Sequence, residues 1–146
     1  MSLTSERRAA LLSACQLFGG LDAAGLGALA ARASEVEFPA GHVIARQGDI
    51  GTGFFVLVLG RVRVVRDGQT LAELGPGAFF GELSVIDHEP RNASVTALEP
   101  VTCLALASWD FDEVLLAEPA ITVGILRGLA RRLRAASASA PAAAQH

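Results

Sequence analysis

Between Val36 and Leu106 the chain is cut by turn signals at short intervals, and this punctuation limits what it can become. Pro39-Ala40-Gly41, Gly48-Asp49, Gly51, Gly60, Asp67-Gly68, Gly75-Pro76-Gly77, Pro90 and Glu99-Pro100 rule out a succession of long helices. The runs between them are rich in Val, Phe and Thr. Residues 43–45, 54–59, 62–65, 70–74, 94–97 and 101–106 are predicted as short strands. Asp67-Gly68, lying between two such runs, is a hairpin signal, because glycine reaches positive φ without a steric penalty. Many short strands at this spacing predict a mainly β fold, an antiparallel β-roll or jelly-roll-like barrel, over about residues 35–107.

Helices flank this region. Residues 5–33 are rich in Leu and Ala, with a break near Phe18-Gly19-Gly20-Leu21-Asp22, and Asp22 suits the N-cap of a second segment over 23–33. After Ala107 helix returns over about 108–136, with Ser108 as a cap and Pro119 opening the last helix. Ile121, Ile125, Leu129 and Leu133 form one apolar stripe on that helix, and Arg127, Arg131, Arg132 and Arg134 are read as its solvated face. The stripe is wide for a helix lying on a small barrel, so a homodimer through the last helix is expected. Residues 1–136 thus make one domain, and 137–146, almost all Ala, Ser and Pro, are expected to be a flexible tail or linker.

The bulk properties narrow the function. At 146 residues with 51% hydrophobic content, the chain can bury one sizeable core. A net charge of −3 weighs against a domain built to grip nucleic acid. The residues after Arg134 are Ala, Ser, Pro, Gln and His, a composition that predicts no DNA-binding module in this chain. No apolar run approaches the ~20 residues of a membrane span. Leu12-Ser13-Ala14-Cys15 has the order of a lipoprotein cleavage box, but the apolar run before it is far below the ~7–15 residues a signal needs, and Glu6 lies in the charged part. An amphipathic helix in a cytoplasmic protein is the expectation. Cys15 and Cys103 are predicted to be buried thiols in a reducing compartment. His42, His88 and His146 have no carboxylate or imidazole neighbours at ligand spacing, so no metal site is predicted.

The segment that carries chemistry is Phe79-Phe80-Gly81-Glu82-Leu83-Ser84-Val85-Ile86, then Asp87-His88-Glu89-Pro90, then Arg91-Asn92-Ala93-Ser94-Val95. Gly81 before a short apolar run predicts a turn opening onto one short helix, whose first N–H groups suit an anion. Arg91, at the start of the next strand, adds a planar fork for a phosphate. Glu82 would repel that phosphate, unless the ligand also presents hydroxyls to a carboxylate acceptor. Asp87-His88-Glu89 is read as a solvated loop. No triad of nucleophile, base and orienting acid is suggested, and the chain is expected not to be an enzyme.

This segment resembles the phosphate-binding cassette of cyclic nucleotide-binding domains, as found in catabolite activator proteins, kinase regulatory subunits and gated channels. The resemblance spans roughly residues 17–136. Gly41-His42-Val43-Ile44-Ala45-Arg46-Gln47-Gly48-Asp49 is similar to the family's glycine-bearing strand and turn, 54–60 with 62–65 to its hairpin, and Pro119 with Leu129-Ala130-Arg131-Arg132-Leu133 to its C-terminal helix. The resemblance implies a sensor domain without a cofactor whose ligand is cyclic AMP or cyclic GMP. It assigns Gly81 to close approach of sugar and phosphate, Glu82 to the ribose 2′-hydroxyl, Arg91 to the cyclic phosphate, and Ala93 to a backbone N–H on that phosphate. Leu83 and Ser84 line the same helix start, and Asn92 and Ser94 flank the Arg91 and Ala93 positions. Asn92 departs from the Ser, Thr or Ala more common after the arginine. Ala136 falls where some members place a hydroxyl against the purine; Ser137 is next to it, so base contacts are sparse and weak discrimination between adenine and guanine is expected. Signalling through movement of the C-terminal helices to an effector protein is implied. The alternative is a ligand-free interaction domain with the same fold.

Overall fold

The computed structural model describes residues 3–51 and 53–139. Three helical pieces lead: α1 (Ser5–Ser13), a 3-10 turn (Gln16–Phe18) and α2 (Ala23–Arg32). Eight strands come next: β1 (Ser34–Phe38), β2 (Val43–Ala45), β3 (Gly53–Leu59), β4 (Val62–Arg66), β5 (Gln69–Leu74), β6 (Phe79–Phe80), β7 (Ser94–Ala97) and β8 (Val101–Ala107). Helix α3 (Glu82–Asp87) lies between β6 and β7, and α4 (Ser108–Ala117) and α5 (Pro119–Ser139) end the described chain. The strands form two antiparallel four-stranded sheets, ordered β1-β8-β3-β6 and β2-β7-β4-β5. The expected β-roll with helices at both ends is therefore the fold.

The central strands explain the two-layered core. In β3 and β8 the side chains alternate between faces, as the pleat requires. Phe54, Val56, Leu104 and Leu106 face the helices, packing with Leu12, Leu17, Phe18, Leu29, Phe111, Ile121 and Ile125. Leu57, Val101 and Cys103 face the other sheet, packing with Ala45, Val62, Phe80, Val95 and Ala97. With both faces covered, β3 reads as an unbroken apolar run, Gly-Phe-Phe-Val-Leu-Val-Leu, rather than alternating with polar residues. Cys15 and Cys103 are both free and buried, and burial pushes each thiol up to about 11.

Asp22 caps α2 as expected, its Oδ1 accepting from the Gly25 N–H at 2.9 Å. The Asp67-Gly68 turn joins β4 to β5 with φ of 52° and 79°, the left-handed pair a two-residue hairpin needs.

Several local expectations are corrected. Runs 54–60 and 62–65 do not form a hairpin: β3 and β4 lie in different sheets, and Gly60, at φ 90°, turns a corner against Pro100 and Val101. Ser108 does not cap α4. Ala107 holds the N-cap position without a side-chain hydrogen bond, and Ser108 is buried as the first helical residue. The last helix does not stop near Ala136 but runs to Ser139, so residues 137–139 belong to α5 and not to a tail. The rest of that expected tail, 140–146, lies outside the described residues. The apolar stripe also divides: Ile121 and Ile125 are core, Leu129 packs on their cluster, but Leu133 is 67% exposed.

Candidate functional site

Strands β2, β4, β5, β6 and β7, helices α3 and α5 and the loop at Arg91–Ala93 line a cavity of about 300 Å³ on the roll. Gly81 sets its geometry. It is the N-cap of α3 at φ 87° and ψ 3°, a conformation that strains any residue with a Cβ. An added Cβ there would lie 2.6 Å from the Gly53 carbonyl oxygen and 2.6 Å from Arg91 Nη1. The turn thus brings the start of α3 against β3 and Arg91 as closely as backbone allows.

Arg91 is held from both ends. It does not begin β7, which starts at Ser94, but sits in the preceding loop. There its N–H donates to the Asp49 carbonyl at 2.8 Å, and its carbonyl accepts from the Gly48 N–H at 2.8 Å. The Gly48-Asp49 turn thereby acquires a purpose that punctuation alone did not show. The guanidinium passes over Gly51, where a Cβ would come within 2.8 Å of Cζ, and Nη2 donates to the Gly53 carbonyl at 2.7 Å. Burial pulls this guanidinium below its ordinary pKa, and the charge of Glu82 opposes that shift. A partly desolvated arginine fixed by backbone acceptors is preorganised for an anion.

Glu82, the first residue of α3, is 9% exposed. Its Oε1 accepts from Arg132 Nη2 at 2.8 Å, an ion pair joining α3 to α5. Ser84 is buried beside it, and Ala45, Val64, Leu74 and Val95 give the cavity apolar walls. At the far end of α3, His88 takes φ 56° and its Nε2 lies 3.1 Å from Asp112 Oδ2 on α4. The loop expected to be merely solvated is exposed, but it also touches a C-terminal helix.

Of the residues singled out from sequence, Gly81, Glu82, Ser84, Arg91, Asn92 and Ala93 line one cavity. The side chain of Leu83 lies outside the described residues. Ser94 is not in the lining; its hydroxyl accepts from the Gln47 N–H at 2.8 Å and ties β7 to the turn after β2. Ser137 is exposed on the last turns of α5 and does not line the cavity either.

Arg132, read from sequence as part of a solvated face, lines the cavity instead. The signal for this is present in the sequence. Arg132 comes about three helical turns after Ile121 at ~3.6 residues per turn, which returns it to the face of Ile121 and Ile125. Grouping the arginines by type hides that phase. Among the described residues no cluster of three His, Cys, Asp or Glu could hold a metal ion, and no helix is long and apolar enough to cross a membrane.

The chain is 34% identical over 134 residues to a CRP-like cAMP-activated global transcriptional regulator of Mycobacterium tuberculosis, covering 85% of this chain and 58% of that one. It is 41% identical over 130 residues to a cyclic nucleotide-gated potassium channel of Mesorhizobium japonicum, covering 89% of this chain and 36% of the channel. It therefore spans little more than half of the regulator and about a third of the channel. The crystal structure of the N-terminal domain of a transcriptional regulator from Streptomyces coelicolor superposes with a TM-score of 0.79 at 36% identity, covering 90% of this chain and 97% of that domain. Residues 35–118, from β1 through the cavity to the end of α4, match the family described as the cyclic nucleotide-binding domain, and the chain belongs to that family.

Proposed function

We propose that this domain is a sensor of cyclic AMP or cyclic GMP whose phosphate binds Arg91 and the backbone N–H groups near Gly81 and Ala93, and whose ribose 2′-hydroxyl donates to Glu82. The observation that carries the reading is the joint placement of Arg91 and Glu82. One preorganised cation and one buried carboxylate acceptor lie in a single apolar-walled cavity, where an anion alone would want only the first. The ribose contact can be tested by itself. Glu82→Gln keeps an acceptor oxygen but loses its charge, so it should weaken binding by about 1–2 kcal/mol. A 2′-deoxy nucleotide should bind the unmodified protein poorly and lose little further affinity on that substitution. Equal affinity for the ribo and deoxy ligands would remove Glu82 from the site.

The domain is proposed as a regulatory module of the cytoplasm and not as an enzyme, so cyclic AMP incubated with it should be recovered intact. Its output is proposed to run through α4 and α5, because both touch the cassette helix, through His88–Asp112 and Glu82–Arg132. A ligand moves such elements only by its difference in affinity for their two arrangements. Hydrogen exchange over residues 108–136 should therefore change on saturation with nucleotide, and an unchanged profile would contradict this output.

A homodimer through α5 is also proposed, on a face revised by the structure. Ile121 and Ile125 are spent on the domain's own core, whereas Val123, Leu126 and Leu133 are 43%, 60% and 67% exposed and recur at spacings of three and seven. Light scattering at tens of micromolar should give twice the chain mass; a monomer with and without ligand would exclude the dimer.

The ligand-free interaction domain has one observation in its favour: Glu82 already has a partner in Arg132. It differs from the sensor in predicting no saturable binding of either nucleotide.

A further inference from the structure

We infer that the outer face of α4 is a docking surface for a basic amphipathic helix of a partner protein, with Trp109 and Leu116 as its apolar anchors. The inference does not use the nucleotide site, since neither side chain lines that cavity.

The first ground is exposed apolar surface. Trp109 is 65% exposed and Leu116 is 88% exposed. Seven residues apart, they fall on one stripe about 10 Å long, on the side of α4 away from the buried Phe111 and Val114. Apolar residues exposed singly are ordinary, but a tryptophan and a leucine sharing one stripe make a patch. Tryptophan is also the residue most enriched among interface anchors. The second ground is a recess. Trp109 borders a cavity of about 260 Å³, walled by Phe55 and Ala105 and flanked by Arg32 and Asp110, with room for an apolar side chain of the partner. The third ground is charge. At ~100° per residue, Asp112 and Glu113 flank the stripe on its two sides; Asp110 lies beside Trp109, and Glu118 is the C-cap. The described ion pairs give these carboxylates only Arg32, 3.6 Å from Asp110 and 3.3 Å from Glu113, and His88 on Asp112. Negative charge therefore prevails along the stripe. The helix dipole deepens it, because the last turn of α4 has no basic residue at the end where a cation is favoured. A partner helix with leucines on one face and lysines or arginines beside them meets both the apolar stripe and its acidic rim. An acidic apolar helix meets only the first.

The test uses Trp109 itself, the only tryptophan of a chain without tyrosine, so that intrinsic fluorescence reports this face alone. The probes are three synthetic helices of about 14 residues, four turns: one of leucine and lysine, one of leucine and glutamate, one of alanine and lysine. The leucine–lysine helix should shift the emission to the blue, saturably, as the indole leaves water, and ~0.5 M salt should weaken that binding. The other two should bind at least about 10-fold more weakly, since each lacks one of the two features. Leu116→Asp should weaken binding of the leucine–lysine helix by about 10-fold or more, and Trp109→Ala, followed by calorimetry, should do the same. Leu116 contributes almost nothing to the core, so Leu116→Asp keeps the test open should Trp109→Ala fail to fold. A face that attracted cations by charge alone would bind more tightly after Leu116→Asp, and that result overturns the inference. No emission shift with the leucine–lysine helix overturns it, as does equal affinity for the leucine–glutamate helix. An emission shift with protein concentration alone gives the face to a second copy of this chain and overturns it too. No nucleotide enters these titrations, so their failure leaves the nucleotide site standing.

Discussion

Arg91→Ala should lose on the order of 2–5 kcal/mol of cyclic nucleotide binding while remaining folded. The cyclic phosphate must leave water to enter the cavity, and its charge has to be met there by paired donors. Arg91 is built for that: its backbone is pinned at both N–H and carbonyl by the Gly48-Asp49 turn, and Nη2 is held on the Gly53 carbonyl at 2.7 Å. Little rotamer freedom is left to lose on binding, so more of each hydrogen bond is retained as affinity. Alanine leaves the phosphate partly unpaired in a desolvated site. Lysine restores a charge but neither the planar fork nor the simultaneous hold on Gly53, so Arg91→Lys should recover only part of the loss. The substitution removes no core volume, and the lost bond to Gly53 should lower folding stability by about 1–3 kcal/mol. Calorimetric titration with a parallel unfolding curve checks both halves, and unchanged affinity would sink the assignment of Arg91 to the phosphate.

Phe18→Ala should destabilise the fold by about 3–5 kcal/mol, the range for deleting a fully buried ring. Phe18 is 1% exposed and joins three parts of the molecule. Its ring meets Phe54 of β3 edge-on, with centroids 5.5 Å apart at 83°, and Phe111 of α4 at 6.2 Å and 56°. Edge-to-face contacts of this kind add to the burial itself. The cavity left by alanine could not be refilled by the sheet, whose register is fixed by pairing on both sides of β3. The denaturant midpoint should fall with little change in slope. A shift below about 1 kcal/mol would mean that this junction collapses easily and that the N-terminal helices are only loosely docked.

Much of this architecture is legible in the sequence, for physical reasons that can be traced. Glycines and prolines at short intervals force short strands, and the strands close into two sheets. Gly81, Glu82 and Arg91 can be singled out because their local order implies a turn opening onto a short helix with a carboxylate and an arginine beside it, and they do line one cavity. The illegible parts depend on long-range placement. Nothing local distinguishes a strand pair that forms a ladder from one that changes sheet, so β3 and β4 read as a hairpin although they are not one. Ser94 lies in the right segment, but its hydroxyl is used by the Gln47 N–H. The resemblance brings Ser137, as the neighbour of Ala136, to the base contact, whereas the helix carries it past the cavity. Arg132 is the costliest omission. Its helical phase puts it with Ile121 and Ile125, yet only the folded chain shows that this face meets Glu82 and not the core alone.

The central claim is that this domain takes up a cyclic mononucleotide, and the measurement that tests it most directly is isothermal titration of the unmodified protein with cyclic AMP and with cyclic GMP. The account predicts saturable binding of one nucleotide per chain, with a preference between the two bases below ~100-fold, about 2.7 kcal/mol, since phosphate and ribose are better served here than the purine. The absence of saturable binding by either nucleotide, with the protein folded, would contradict it.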